Sequence, residues 1–127
     1  MPLVRIALPT GKSPEYRRAV ADGVHEALVE VFKIPADDRF QIITEHGPGV
    51  EIVRSDSYLG NVYSDDLTLL QITVNDTRTV EQKKELYRAI VARLTARPGL
   101  RPDDVIINLV EVKKENWSFG RGEAPYA

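Results

Sequence analysis

The stretch that decides the fold is residues 6–15, IALPTGKSPE, because it has a counterpart at residues 72–81, ITVNDTRTVE. Each stretch runs from an apolar, strand-like segment through a polar loop to a residue suited to capping a helix. These capping residues are Ser13 in the first copy and Thr79 in the second. The two stretches therefore predict the same order of strand, loop and helix twice in one chain.

A second pair of stretches extends the repeat beyond the helices. Residues 34–43, IPADDRFQII, match residues 100–109, LRPDDVIINL, and each contains a proline, an acidic pair and a strand. Between the paired stretches, apolar residues recur at helical spacing. We therefore predict a duplicated β-α-β unit, with repeat 1 at about residues 2–46 and repeat 2 at about residues 66–112.

The duplicated unit predicts an α+β fold of two layers, as a single domain over residues 1–127. In each unit the two strands pair in parallel through a right-handed crossover. The simplest product is a four-stranded sheet with both helices on one face. The segment between the repeats, residues 50–66, is too long for a plain loop and predicts short hairpin strands. Residues 113–127 follow as a C-terminal tail.

The predicted strands are apolar at almost every position, for example at Ile42 with Ile43 and at Ile106 with Ile107. Such runs are typical of strands that are buried on both faces. Two helices on one face leave the other face of the sheet open. We therefore predict a homo-oligomer in which the sheets of neighbouring subunits face one another.

The composition argues against several classes of function. A formal net charge of −2 gives no reason to expect nucleic acid or an anionic membrane as a partner. The chain has no cysteine, and its two histidines lie far apart, which argues against disulfides, thiolate chemistry and a metal site. His25, at the margin of the first helix's apolar stripe, is expected at the surface. We expect a cytoplasmic protein.

The chain begins MPLVRIALP, and Pro2 has two interpretations. Proline lacks an amide N–H and is tolerated at the first position of a strand, so it can simply mark the strand's edge. Alternatively, removal of Met1 leaves Pro2 as a free secondary amine, which can act as acid, base or nucleophile near neutral pH. The second repeat begins inside the chain, so only the first can offer an amine.

A duplicated β-α-β unit that begins with Met-Pro resembles the tautomerase superfamily, and within it malonate semialdehyde decarboxylase and its relatives. The motifs that carry the resemblance are MPLVRIAL at the start, IPADDRFQ after the first helix and ENWSFGRGEA near the end. The resemblance covers essentially the whole chain. It implies a tautomerase-like fold, a homotrimer, and an enzyme without cofactor or metal whose amino-terminal proline is the catalytic group.

Carried over by position, the resemblance implies that Pro2 is catalytic and that Asp38 assists it by handling water. Trp117 and Phe119 match an aromatic wall that excludes water from the site. Each assignment has a structural alternative. Asp38 could cap the turn into the second strand, and Trp117 could be ordinary core or interface packing.

The resemblance also implies a clamp of two arginines that holds a substrate carboxylate. Arg78 matches the second arginine, whereas Asp76 stands where the first is expected. A single arginine can still hold a carboxylate through two parallel hydrogen bonds. Arg121, in the tail, is the candidate to replace the missing arginine. Arg78 could also be a solvated residue beside the helix cap.

The leading hypothesis is an enzyme that acts on a small 2-oxo or 3-oxo carboxylic acid. Because Asp76 removes the two-arginine clamp, tautomerase or hydratase activity ranks above decarboxylation. The competing hypothesis is a non-catalytic ferredoxin-like module with a ligand-binding or regulatory role. The same order of elements suits such a module, and fold does not determine function. Such a module needs no free Pro2, so loss of Met1 in the intact mass favours the enzyme.

Overall fold

The computed structural model describes all of residues 1–127. The long elements are β1 (Leu3–Pro9), α1 (Pro14–Phe32), β2 (Gln41–His46), β5 (Thr68–Asn75), α2 (Val80–Ala96) and β6 (Val105–Val112). A short hairpin of β3 (Ser57–Tyr58) and β4 (Asn61–Val62) lies between the repeats. Single 3₁₀ turns flank β6, at Pro102–Asp104 and Lys114–Asn116.

The sheet has four strands in the order β2-β1-β5-β6. Each repeat contributes a parallel pair, β1 with β2 and β5 with β6, and the two repeats meet where β1 runs antiparallel to β5. This arrangement confirms the duplicated β-α-β unit, the four-stranded sheet and the hairpin between the repeats. The sheet is therefore mixed, and the ends of β5 and β6 lie at the same edge as the start of β1.

Both helices begin at the predicted caps. The Ser13 hydroxyl accepts a hydrogen bond from the backbone N–H of Tyr16, and Pro14 occupies the first helical position. Thr79 and Gln82 form a capping box, in which each side chain accepts a hydrogen bond from the other residue's backbone N–H. These local bonds start the two helices at equivalent places in the two repeats.

One core lies between the sheet and the two helices. Alternate strand residues point into it, and the apolar stripes of α1 and α2 cover them. The fully buried side chains include Ile6, Leu8, Leu28, Leu70, Ile72, Leu86, Ile90 and Leu94. The helices lie in close contact at Gly23, where an added Cβ would lie 2.9 Å from a methyl group of Leu94.

The opposite face of the sheet has no covering layer within the chain. Ile42 of β2 is 39% exposed and Val110 of β6 is 37% exposed, and both face this side. Arg5 and Gln71 also lie on this face and are exposed. The expectation that the strands are buried on both faces is therefore not met by one chain alone. None of the helices combines the length and apolar character needed to cross a lipid bilayer.

The expectation that His25 lies at the surface is wrong. The residue is only 9% exposed, and its Nε2 lies 2.8 Å from the carbonyl oxygen of Ala36. Because a carbonyl oxygen can only accept, the imidazole donates from Nε2. The segment that leads from α1 to β2 folds back over the helix and encloses this margin of the stripe. His25 thereby attaches the turn at residues 35–38 to α1.

Candidate active site

The candidate site lies at the edge of the sheet where β1 begins. The ladder pairs Leu3 with Thr73 of β5 and Val4 with Gln41 of β2. The two residues before Leu3 therefore lie between the end of β5 and the turn that enters β2. The end of β6 reaches the same edge, since the N–H of Asp76 donates to the carbonyl of Val112 at 3.0 Å.

The N-terminal amine lies beside the carboxylate of Asp38. This amine belongs to Met1, whose nitrogen lies 3.6 Å from Asp38 Oδ2, and the adjacent Pro2 is buried. The other oxygen, Oδ1, is buried and has no hydrogen-bond partner. An unpaired buried carboxylate oxygen is costly, and most such groups find a donor. Asp38 thus has one free acceptor beside the terminus.

The turn that presents Asp38 is held from the side of α1. The N–H of Asp38 donates to the carbonyl of Pro35 at 3.0 Å. The next residue, Arg39, points away from the site and donates to Asp22 of α1 at 2.7 Å. Burial alone would raise the pKa of Asp22, but the hydrogen bond and charge of Arg39 outweigh it, so this pKa lies below its usual value.

Asp38 differs from its counterpart in the second repeat. Asp104 is fully buried, and its carboxylate accepts hydrogen bonds from the backbone N–H and the hydroxyl of Ser64 and from Arg101. Its side chain therefore anchors the loop that follows the hairpin. The Asp38 carboxylate accepts no hydrogen bond from its own turn, so the turn-capping alternative has no bond to support it.

Arg78 lies in the loop between β5 and α2 and is half-buried. Its Nη2 donates to the carbonyl of Phe32 at 2.7 Å, and its guanidinium carbon lies 4.8 Å above the centroid of the Phe32 ring. Its Nη1 donates to the hydroxyl of Thr77. The positive charge therefore stabilises the C-terminal end of α1. Two of the five N–H donors of arginine are used, so three remain for a ligand.

The neighbouring Asp76 is exposed, and its carboxylate forms no hydrogen bond or ion pair. Arg121 is also exposed and has a left-handed backbone, with φ of 57°. It makes no hydrogen bond or ion pair with any other predicted site residue. It lines a surface cavity of the tail together with Phe119, and its role as the replacement for the missing arginine stays a prediction.

The aromatic residues of the tail form a cluster at the end of β5. The rings of Trp117 and Phe119 stack with centroids 5.6 Å apart, and Tyr126 packs edge-on against Phe119 at 5.8 Å. The indole N–H of Trp117 donates to Asn75 Oδ1 at 2.7 Å. Asn75 and Tyr126 were not among the residues expected from the sequence. A polar residue that ends an apolar strand was the available signal for Asn75.

One edge of the sheet thus brings together Pro2, Asp38, Asp76, Arg78 and Trp117, and Phe119 joins them by stacking on Trp117. No group of three or more histidine or acidic side chains converges in a way suited to a metal ion. The arrangement offers an amine beside a carboxylate, a cation with free donors, and an aromatic wall.

Two family models, both described as tautomerase enzyme, match residues 38–120 and residues 2–57. A protein of Bacillus subtilis (strain 168) described as probable tautomerase YusQ is 36% identical over 124 residues, which are 98% of this chain and 97% of that protein. The sequence similarity therefore extends over both repeats.

Solved structures of similar chains also match over nearly the whole chain. The FG41 malonate semialdehyde decarboxylase, inhibited by 3-bromopropiolate, superposes with a TM-score of 0.90 at 44% identity, covering 98% of this chain and 93% of that one. A second malonate semialdehyde decarboxylase, described with decarboxylase and hydratase activities, gives 0.89 at 38% identity, covering 96% and 93%. A fused 4-OT described as a symmetric trimer shares the fold, with a TM-score of 0.76 at 20% identity over 96% and 94%.

The family models cover most of the chain between them, and the relatives above 30% identity cover nearly all of it. The fold agrees with what the resemblance implied. The chain therefore belongs to the tautomerase superfamily of enzymes, and it is similar to malonate semialdehyde decarboxylases.

Proposed function

We propose that this chain, after removal of Met1, is a cofactor-independent enzyme whose Pro2 amine acts as an acid on a small 3-oxo carboxylic acid. Decarboxylation of that acid and hydration of an activated unsaturated acid are the two reactions that the site supports best. The observation that carries the proposal is the placement of the N-terminal amine beside Asp38, which has one oxygen without a donor.

The nitrogen observed near Asp38 is that of Met1, 3.6 Å from Oδ2, and removal of Met1 transfers the terminal amine to the adjacent Pro2. A nearby carboxylate favours the protonated form of an amine. A protonated Pro2 can donate to a carbonyl oxygen and draw electrons toward it. A neutral amine in an apolar site would suit proton abstraction, which is the chemistry of a keto–enol tautomerase. The pairing of amine and carboxylate therefore favours acid chemistry, and tautomerisation of a 2-oxo acid becomes the second candidate.

In decarboxylation, Arg78 holds the substrate carboxylate with its free N–H donors, and Pro2 donates its proton to the 3-oxo oxygen. The bond between C2 and the carboxylate carbon breaks, its electron pair forms the enol, and carbon dioxide leaves. The enol then takes a proton at C2 and returns the hydroxyl proton, so the products are the aldehyde and carbon dioxide. Phe119 is 43% exposed in the free chain, and a substrate held against Trp117 and Phe119 would displace water from these groups and strengthen the charge interactions.

In hydration, Asp38 has the larger part. Once removal of Met1 opens the space beside it, the Asp38 carboxylate can orient a water molecule toward an unsaturated carbon and take the proton that the water loses as its oxygen bonds to that carbon. Pro2 then supplies the proton to the adjacent carbon. The two reactions use the same three groups, Pro2, Asp38 and Arg78. The exposed carboxylate of Asp76 distinguishes this chain from the two-arginine pattern, and we expect weaker binding of the substrate carboxylate for that reason.

The decisive experiment compares wild-type protein with Pro2→Ala, after intact mass has shown that Met1 is absent from both. Three substrates are tested. Release of carbon dioxide measures turnover of malonate semialdehyde, formation of the hydrated product measures turnover of an acetylenic acid, and ultraviolet absorbance measures turnover of an enolisable 2-oxo acid. Inhibition by 3-bromopropiolate, which inhibits the FG41 malonate semialdehyde decarboxylase, provides a second assay. We expect Pro2→Ala to lose about 100-fold or more of the turnover, while Pro14→Ala, at the start of α1, keeps it.

Turnover that survives Pro2→Ala, or an active protein that retains Met1, would refute the proline mechanism. A protein with no activity on any of the three substrate classes, but with specific binding of a small ligand, would favour the ferredoxin-like module instead. Activity on the 2-oxo acid alone would make the enzyme a tautomerase.

We further propose that the enzyme is a homotrimer in which the open sheet faces pack together. Ile42 and Val110 leave more than a third of their surface exposed on this face, and the hairpin residues Tyr58, Leu59 and Val62 expose more than half. Burying such apolar surface contributes about 25 cal/mol per Å². In sedimentation, Ile42→Glu is expected to dissociate the oligomer, whereas Val80→Glu on the helix layer is not. A monomeric wild type would refute this assembly.

A further inference from the structure

We propose that Asn75 is a positioning residue that holds the aromatic wall of the site in place through Trp117. The inference rests on the proposed function of the Pro2 site and adds a residue that the site depends on without touching the reacting atoms. Three features of the structure carry it: the position of Asn75 in the sheet, the geometry of its bond to Trp117, and the scarcity of other anchors in the tail.

Asn75 lies between the N-terminus and the tail. It is the last residue of β5 and pairs with Val112 of β6. On its other side, the antiparallel register pairs Leu3 with Thr73. Continuing this register by two residues brings Asn75 opposite Met1, at the position of the N-terminal amine. Any side chain that Asn75 fixes is therefore fixed beside the proposed catalytic group.

The donor and acceptor of the hydrogen bond between Asn75 and Trp117 are unambiguous. The indole N–H can only donate, and Asn75 Oδ1 accepts it at 2.7 Å. Trp117 in turn stacks on Phe119, which contacts Tyr126, so the orientation of one ring determines the orientation of the cluster. An apolar residue at position 75 would leave the half-buried indole N–H without its acceptor.

The tail has no other polar attachment to the fold. Apart from the bond between Trp117 and Asn75, the hydrogen bonds of residues 113–127 connect residues within the tail, and none of these residues forms an ion pair. The hydrogen bond from the Trp117 backbone N–H to Lys114 is long, at 3.4 Å. Asn75 is therefore the single polar tether between the sheet and the segment that supplies the aromatic wall.

The test compares Asn75→Leu, which has a similar shape but no acceptor, with Asn75→Asp, which keeps the acceptor. Trp117 is the only tryptophan, so its fluorescence reports on the tether without labelling. For Asn75→Leu we expect stronger quenching by acrylamide, lower anisotropy and a fall in kcat/KM of about 2- to 10-fold, mainly through KM. Asn75→Asp should keep the wild-type fluorescence. Thr95→Val, at an exposed position of α2, is the control and should change neither measurement.

Wild-type quenching and anisotropy in Asn75→Leu would overturn the tether. A changed fluorescence with unchanged kcat/KM would overturn the positioning role, because the bond would then be only structural. These outcomes differ from failure of the proposed function, which is judged by Pro2→Ala and by intact mass. The fluorescence result can therefore be interpreted even if the substrate assignment is wrong.

Discussion

Substitution of Arg78 by alanine should change stability and substrate binding by amounts that can be measured separately. The stability cost follows from two contacts with Phe32, a hydrogen bond of 2.7 Å to its carbonyl and a cation–π contact of 4.8 Å to its ring. The hydrogen bond contributes about 1 kcal/mol and the partly exposed cation–π contact about 0.5–1 kcal/mol. The free energy of unfolding in urea should therefore fall by roughly 1–2 kcal/mol.

The binding cost follows from the three N–H donors that Arg78 has free. A charge-assisted interaction with a substrate carboxylate contributes about 1.5–3 kcal/mol, which corresponds to a roughly 10- to 150-fold increase in KM. Arg78→Lys keeps the charge but cannot form two parallel hydrogen bonds, so it should recover only part of this loss. Arg88→Ala, an exposed residue of α2, is the matched control.

The assay measures kcat/KM for a carboxylate substrate and for its neutral methyl ester in each variant. Wild-type enzyme should prefer the acid, and Arg78→Ala should lose most of that preference because the ester never used the guanidinium. If Arg78→Ala is less stable but discriminates between acid and ester as the wild type does, Arg78 only stabilises the end of α1. The carboxylate would then be bound elsewhere.

Two further predictions concern the fold. Ile90→Ala, at a fully buried position of α2, should lower the free energy of unfolding in urea by about 2–5 kcal/mol, and a loss below about 1 kcal/mol would show that this layer is loosely packed. Asp22→Asn should destabilise the protein at neutral pH, because the pKa of Asp22 is lowered from 3.8 and its contribution is present above that value. This contribution is lost as the pH falls through the folded-state pKa of Asp22. The difference in free energy of unfolding between variant and wild type should therefore narrow below about pH 3.8. A difference that stays constant with pH would contradict the assignment.

The elements and their order could be predicted from the sequence because the signals are local. Ser13 and Thr79 start helices through bonds to residues three positions later. The repeat then determines the pairing of the strands, since a β-α-β unit closes in one hand. His25 shows what local sequence signals cannot predict. Its position on α1 was predicted, but its burial depends on a segment that folds over the helix from beyond its end.

The same limit applies to the site. Pro2 was a candidate from the chemistry of a free N-terminal amine, and the resemblance to a family favoured that interpretation and added Asp38. Asn75 was missed because its partner, Trp117, lies 42 residues further along the chain. A polar residue at the end of a strand has many explanations in a sequence, and only the position of the tail selects one.

The acidic pairs of the two repeats show this division most clearly. From the sequence alone, Asp38 and Asp104 occupy equivalent places, each after a proline and before a strand. The sequence by itself therefore determined two similar units with two similar carboxylates. Only the tertiary structure decided their surroundings, because it places Ser64 against Asp104 at 2.8 Å, whereas Asp38 lies 3.6 Å from the N-terminal amine and keeps one oxygen free. A carboxylate acts according to the donors around it, and those donors come from distant parts of the chain.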